Sequence, residues 1–322
     1  MNEKDYAKLV KEYEKLHAAE PEEYIMDMNE EFEGLLEFVD DEFRSFSMEK
    51  QIEIMIKWID MESTRQFKYY TAFKNRSMEM LDNVIYESAL EEHVNCILSP
   101  GNDHAYFAFN VLPEILAANL PERVERIVPL ENGAANNGFQ ACACIINLFM
   151  AIWYRDEELK AIAMAEAEKW LSKKITLQEK AYIDCYLGFL NKDPQAINSG
   201  LIEICQGGRR DRDINANAFT KGFCIPAHAV YNLAHWAYGG ELEKDIVMPD
   251  EANFCQDLAK YQKERGFKHG ERFTVYPEEL KMYDAILTAE PPVMHLGEPY
   301  RKKKMLDNER FAKELYAEIL KK

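Results

Sequence analysis

Two histidines in the C-terminal half are the residues whose type and spacing most invite a chemical interpretation. His228 and His235 lie seven positions apart in a helix-forming stretch, so they share one helix face. A helix rises ~1.5 Å per residue, which separates them by roughly 10 Å along the axis, too far for one metal ion. We interpret both as core or interface histidines. The alternative is a helical enzyme with a pocket near His228, Tyr231, His235 and Trp236.

Motifs that identify an enzyme or a metal site are missing from the sequence. There is no Gly-x-Gly-x-x-Gly, Walker A loop, Gly-x-Ser-x-Gly or His-Glu-x-x-His. Glu14 and His17 form a single Glu-x-x-His pair, whereas a di-iron bundle needs two. The seven cysteines include no Cys-x-x-Cys pair, and Cys142 and Cys144 point apart on a helix. We predict no catalytic residue, metal or cofactor, and reduced cysteines packed inside a cytoplasmic protein.

The stretch from Glu20 to Phe43 has an unusual charge pattern. It contains eleven acids and no lysine or arginine, while its apolar residues recur at helical spacing. The pattern predicts one amphipathic helix from Pro21 to Phe43 with a wholly acidic face. This face is either solvated and partly neutralised by lysines on neighbouring helices, or a docking face for a basic partner. The candidate partner-binding residues on it are Glu30, Glu31, Glu37, Asp40 and Asp41.

A second candidate contact is a loop of alternating charge that follows the helix stop at Gly207-Gly208. Its residues are Arg209, Arg210, Asp211, Arg212 and Asp213. The loop is either solvated with internal ion pairs or a contact loop, because arginine forks suit hydrogen bonds across an interface.

Composition limits the partners and the location. The 322 residues carry a net charge of -18, which repels nucleic acid and anionic membranes. The longest apolar run, 141–154, is shorter than the roughly 20 residues that span a bilayer. The first residues lack an apolar core of the kind found in signal peptides. We therefore expect a cytoplasmic protein that contacts neither nucleic acid nor membrane.

The elements that must position these residues are almost all helices. Glycine (14) and proline (12) are sparse, and helix-forming residues are plentiful. Asp103 is a predicted N-cap, and the pattern from 48 to 97 is predicted to break near Asn75. The other predicted helices are 2–18, 122–128, 139–154, 156–173, 177–190, 194–205, 223–240, 251–264, 277–288 and a last one opened by Arg301 to Lys304.

Short loops between these helices predict the architecture. We expect an all-α fold of antiparallel helix pairs stacked as an α-solenoid or TPR-like array. The Gly/Asn-rich loop 129–138 is the candidate boundary between an N-terminal acidic helical region, 1–130, and a helical-hairpin region, 131–322. A single continuous domain is the alternative.

One stretch carries a family resemblance. An aliphatic-aromatic helix, 182–190, ends in Asn-Lys-Asp-Pro at 191–194, and a charged loop follows at 208–213. The helix Gly-Phe-Cys-Ile-Pro-Ala-His-Ala-Val-Tyr-Asn-Leu-Ala-His-Trp-Ala comes next, 222–237, and then Val-Met-Pro-Asp, 247–250. With these features, residues 141–265 resemble the Imm49 family of bacterial immunity proteins of polymorphic toxin systems.

The resemblance implies a cytoplasmic, non-enzymatic protein that is encoded beside a toxin gene, binds the cognate toxin domain and blocks it. An acidic inhibitor suits a basic toxin such as a nuclease, because charge steers it to the cleft that binds nucleic acid. A TPR-like scaffold or peptide-binding regulator is the alternative from another class.

Overall fold

The computed structural model describes residues 1–59, 62–96, 102–139, 141–210 and 217–322. These ranges form an all-α fold in which the only β-pairing consists of isolated bridges. The helices are α1 (Glu3–Ala19), α2 (Met28–Phe38), α3 (Asp41–Ser45), α4 (Met48–Ile59), α5 (Glu62–Asn75), α6 (Met78–Asn95), α7 (Val111–Ala117), α8 (Pro121–Ile127), α9 (Cys142–Tyr154), α10 (Glu157–Leu171), α11 (Leu177–Leu190), α12 (Pro194–Arg209), α13 (Ile225–Trp236), α14 (Gln256–Glu264), α15 (Lys281–Thr288) and α16 (Asn308–Ile319).

The α11–α12 hairpin follows directly from its local sequence. Thr176 and Glu179 form a capping box that starts α11, and Asp193 caps α12 with Pro194 in the first turn. The two helices approach closely at Gly200, where an added Cβ would lie 2.6 Å from the Cβ of Cys185. The predicted helix pair is therefore confirmed, and glycine is needed where the two helices cross. The helix stop predicted at Gly207-Gly208 is wrong, because α12 continues through both glycines to Arg209.

The predicted single helix from Pro21 to Phe43 is wrong. The chain forms a turn region before Met28, then α2, and then a break before the short α3. Asp27 accepts a hydrogen bond from the Asn29 backbone N–H at 3.1 Å. Asp40 accepts a hydrogen bond from the Phe43 backbone N–H at 2.8 Å. These aspartates act as N-caps. Asp27 and the predicted surface acid Asp40 therefore each begin a new helix and do not continue an existing one.

Other predicted boundaries have mixed outcomes. The break near Asn75 is confirmed, because Arg76 adopts a left-handed conformation and Ser77 caps α6. Asp103 is an N-cap as predicted, although the helix that it starts is a short 3-10 helix, His104–Ala108. The helix predicted over 251–264 begins only at Gln256. The helix predicted over 277–288 opens with a 3-10 turn, Glu278–Leu280, and continues as α15.

The last helix does not open at Arg301, and that prediction is wrong. Arg301 and Lys302 occupy a turn closed by backbone pairing between Tyr300 and Lys303, and α16 begins after its N-cap Asp307. Cations at a helix start oppose the helix dipole, whereas an aspartate there favours it. Lys304 instead donates to the backbone oxygen of Ala134 at 2.7 Å.

The hydrophobic core runs through the whole fold. One cluster of buried apolar side chains contains Tyr13 of α1, Ile85 of α6, Phe149 of α9 and Phe311 of α16. The cluster therefore includes residues on both sides of the loop 129–138. The regular solenoid and the division of the chain into two regions near residue 130 stay predictions. In the described ranges, no helix combines the length and the apolar character that crossing a membrane needs.

Candidate partner-binding surface

The exposed acids of α2 and α3 form a surface, called here the acidic surface. Glu30 and Glu37 of α2 are exposed, as are Asp40 and Asp41 around the start of α3. Within the described ranges, none of these four carboxylates forms an ion pair with a lysine, arginine or histidine. The acidic surface is therefore not neutralised by ion pairs with neighbouring described helices.

Glu31 differs from the other four predicted partner-binding acids because it is not fully exposed. Its side chain is half-buried on the inner side of α2, where it faces Thr64 and Lys68 of α5. Burial raises the pKa of the Glu31 carboxyl, and the nearby Lys68 opposes that effect. Glu31 thus contributes to the packing of α2 on α5, and it adds less than its four neighbours to the acidic surface.

Large apolar side chains are exposed beside these acids. Phe38 is 58% exposed, Met48 43% and Phe46 39%. The ring of Phe38 contacts Trp58 at a centroid distance of 4.8 Å, and the buried Phe43 stacks on the same indole at 5.8 Å. Trp58 therefore contacts both rings, while most of the Phe38 side chain stays exposed to solvent. Aromatic groups in such a position suit the anchors of a protein interface.

The second predicted contact, 209–213, is described only in part. Arg209 lies in the last turn of α12 and pairs with Glu251 at 2.6 Å, and Arg210 is its exposed C-cap. Asp211, Arg212 and Asp213 lie outside the described residues. Arg209 and Asn253 line a cleft of about 250 Å³ between the start of α1 and the end of α12. Two lysines, Lys8 and Lys221, also line it and form no ion pair with the part of the chain described.

The two histidines have different environments. His228 is completely buried, accepts a hydrogen bond from the Cys255 backbone N–H at 3.1 Å and stacks on Phe254 at 4.2 Å. Burial lowers the pKa of His228 to about 3, so it is a neutral core residue. His235 is half-buried, and its Nδ1 lies 2.7 Å from a carboxylate oxygen of Glu243. Lys263 binds the other oxygen of that carboxylate at 2.9 Å.

The structure also contains a buried charge cluster that the sequence analysis did not predict. Lys68 of α5 donates to Glu87 at 2.8 Å and to Glu91 at 2.7 Å, both on α6. Arg272 binds Glu87 from the other side at 2.8 Å, and the backbone N–H of Thr274 donates to it at 2.9 Å. Burial opposes the charge of Glu87, but Lys68 and Arg272 outweigh it and lower its pKa to about 2. The cluster therefore joins α5 and α6 to the segment before α15.

Glu114 lies close to Glu91 of this cluster, and within the described ranges its carboxyl forms no ion pair. Its Oε2 is buried and has no hydrogen-bond partner among the described atoms. Burial raises the pKa of Glu114 to about 8, since Arg65 only partly offsets the loss of hydration and the charges of Glu91 and Glu92. Glu114 is therefore mainly protonated at neutral pH. Carboxyls with perturbed pKa values occur both in active sites and in structural ion networks. In this protein, Glu87 and Glu91 belong to an ion network that connects helices.

A signal for the cluster was present in the sequence. Lys68 stands inside the aromatic run Phe67 to Phe73, and Glu87 and Glu91 are spaced four apart on a helix whose other residues are mostly apolar. A charged residue at a core position requires a buried partner, and the i, i+4 pair on the next helix provides one. No local feature of the sequence predicts that Arg272 belongs to this cluster.

Comparisons with protein-family models, with curated proteins and with solved structures find no match to this chain. In the described ranges, no three His, Cys, Asp or Glu side chains are placed to hold a metal ion. Fold and surface together describe an all-α protein with an acidic, aromatic-bearing patch on its N-terminal helices.

Proposed function

We propose that this chain is an immunity protein, which binds a cognate bacterial toxin and blocks it in the cytoplasm of the producing cell. The Imm49 resemblance of residues 141–265 suggested this class. The observation that supports it most is the acidic surface, where Glu30, Glu37, Asp40 and Asp41 are exposed without ion-pair partners among the described residues. Keeping like charges together on one surface costs stability, so a use in recognition accounts for their retention.

The toxin that fits this surface is a basic protein domain. Nucleases are such proteins, because their clefts bind a polyanion. The carboxylates of the acidic surface would steer the encounter, and Phe38 would supply an apolar anchor in the bound state. Blocking follows if the immunity protein covers the cleft and excludes the nucleic acid by both volume and charge.

Co-expression tests the class of protein. The gene adjacent to the one for this chain is expressed in a host with and without this chain, and growth is measured. We expect the neighbour to be toxic alone and harmless with this chain, and the two purified proteins to form a stable complex. A toxic neighbour that this chain neither binds nor neutralises would contradict the proposal.

A charge reversal tests the surface. The variant Glu30→Lys, Glu37→Lys, Asp41→Lys should associate with the toxin roughly tenfold more slowly at low salt, and its rate should depend less on salt. The matched control Glu168→Lys, Glu264→Lys, Glu298→Lys changes net charge equally at exposed acids elsewhere. Equal association rates for both variants would refute the acidic surface as the docking site while leaving the class of protein intact.

One observation favours a second candidate, a helical enzyme. The carboxylate of Glu243 contacts the His235 imidazole at 2.7 Å, an arrangement that can orient a general base. The variant His235→Gln separates the two functions. An immunity protein should still protect cells when His235 is replaced, whereas an enzyme that uses this pair should lose its activity.

A further inference from the structure

The cleft between α1 and the end of α12 gathers cations from three elements that are distant along the chain. Lys8 extends from α1, Arg209 from the last turn of α12, and Lys221 from the 3-10 turn Thr220–Gly222. Among the described residues that line the cleft, Asp5 is the one acid. The cleft therefore has a local excess of positive charge, although the whole chain carries a net charge of -18.

Acids of the described chain do not neutralise the two lysines of this cleft. Neither Lys8 nor Lys221 forms an ion pair there, and the carboxylate of Asp5 instead accepts from the backbone N–H of the α1 N-cap at 2.7 Å. Arg209 binds Glu251 through Nη1 at 2.6 Å, which uses only part of the hydrogen-bonding capacity of a guanidinium. Cations gathered without a counter-ion repel one another, so a bound anion would lower the energy of this site.

Two other clefts in the described part of the chain have the opposite charge. One, of about 410 Å³, lies along the α11–α12 hairpin, where Lys180 pairs with Asp184. The other, also of about 410 Å³, lies beside α16, where Arg126 pairs with Glu290. In both clefts the lining acids outnumber the lysines and arginines. An excess of unpaired cations is therefore particular to the cleft of Lys8 and not common to the grooves of this surface.

The backbone that carries these cations is fixed by contacts within the protein. Asn217 caps the turn of Lys221, because its Oδ1 accepts from the Thr220 N–H at 2.9 Å. The turn also lies directly against α1, since an added Cβ at Gly222 would overlap a methyl carbon of Leu9. The Cα positions of the two lysines are thus set before any ligand binds, which reduces the entropy that binding costs.

We propose that this cleft binds the phosphate group of a small molecule, with Lys8, Arg209 and Lys221 as the cations that contact it. A phosphate monoester carries close to two negative charges at neutral pH and three acceptor oxygens, which suits several converging cations better than a carboxylate does. The cleft volume of about 250 Å³ lies below the roughly 300–1,000 Å³ of sites for drug-sized ligands. The ligand is therefore free phosphate or a small phosphate monoester, and its binding does not depend on the proposed immunity function.

NMR titration of the full-length, isotope-labelled protein tests the site. Inorganic phosphate, glycerol phosphate and acetate are added separately at low and constant ionic strength, because salt screens exposed charges. We expect saturable shifts with both phosphates at amides that line the cleft, such as those of Leu9, Gly222 and Ala252, and no saturation with acetate. Tighter binding of glycerol phosphate would identify a monoester as the ligand, and tighter binding of inorganic phosphate the free anion. Absence of saturation with both phosphates, or equal binding of acetate, would overturn the proposal.

A pair of charge-neutralising variants assigns the binding to the cleft. Lys8→Gln with Lys221→Gln should weaken phosphate binding by roughly tenfold or more, since two charge-assisted contacts are lost. The matched control, Lys4→Gln with Lys11→Gln, removes equal charge from exposed positions of α1 that do not line the cleft, and it should bind as the native chain does. Equal weakening in both variants would show that phosphate responds to the overall charge of α1, and it would refute the site.

Discussion

Replacing Glu114 with glutamine should change the pH dependence of stability in a defined direction. The pKa of Glu114 is raised from the ordinary 4.5 to about 8 in the folded protein, so folding takes up a proton between these values. A carboxyl with a raised folded pKa costs nothing below its unfolded pKa, and it destabilises the fold increasingly as pH rises towards the folded one. Glutamine is neutral at every pH and resembles the protonated acid in shape, so Glu114→Gln should escape this cost.

The size of the effect follows from the two pKa values. Each unit of pKa difference corresponds to about 1.4 kcal/mol, which sets an upper limit of about 5 kcal/mol at alkaline pH. Between about pH 5 and pH 8, the stability of Glu114→Gln relative to the native chain should therefore rise by about 3 kcal/mol. The physical cause is the buried Oε2, which has no hydrogen-bond partner among the described atoms to stabilise its charge.

Urea unfolding followed by circular dichroism at both pH values measures this difference. Glu168→Gln removes an exposed carboxyl on α10 and is the matched control, which should differ little from the native chain at either pH. A constant difference between Glu114→Gln and the native chain over this pH range would mean that the folded pKa of Glu114 is not raised, and it would refute the reasoning.

Two further predictions concern packing and the charge cluster. Lys68→Met should destabilise the protein by about 3–5 kcal/mol in urea unfolding, because Glu87 and Glu91 would lose their shared cation; near-native stability would show that Arg272 suffices. Gly200→Ala should lower the melting temperature at a cost of about 1–3 kcal/mol, since the new Cβ meets the Cys185 Cβ at 2.6 Å. Gly34→Ala meets no atom within 4 Å, so an equal loss there would refute the packing argument.

Local sequence predicted most of the helices, because the signals that start and end a helix are carried by a few adjacent residues. The capping box of Thr176 and the Asp193-Pro194 start of α12 are of this kind. The same chemistry explains the error between Pro21 and Phe43. Apolar periodicity favoured one long helix there, but Asp27 and Asp40 cap helices of their own, and the capping hydrogen bonds decided the boundaries.

The candidate site could be predicted only in outline. The density of acids from Glu20 to Phe43 is a property of the sequence, and so is the loop at 209–213. Whether a given acid is exposed depends on which side of its helix packs, and this turned Glu31 inward while Glu30 and Glu37 stayed in solvent. Whether those acids have counter-ions depends on side chains distant in sequence.

What the sequence by itself determined is the helical class, the caps and the sign of the surface charge, since each depends on residues that are neighbours along the chain. Only the tertiary structure decided which distant groups meet. It placed Arg272 on Glu87 and left the buried Oε2 of Glu114 without a hydrogen-bond partner among the described atoms. The physical reason is that burial fixes the charge of a carboxyl through its surroundings, and in this fold those surroundings come from helices far apart in the chain.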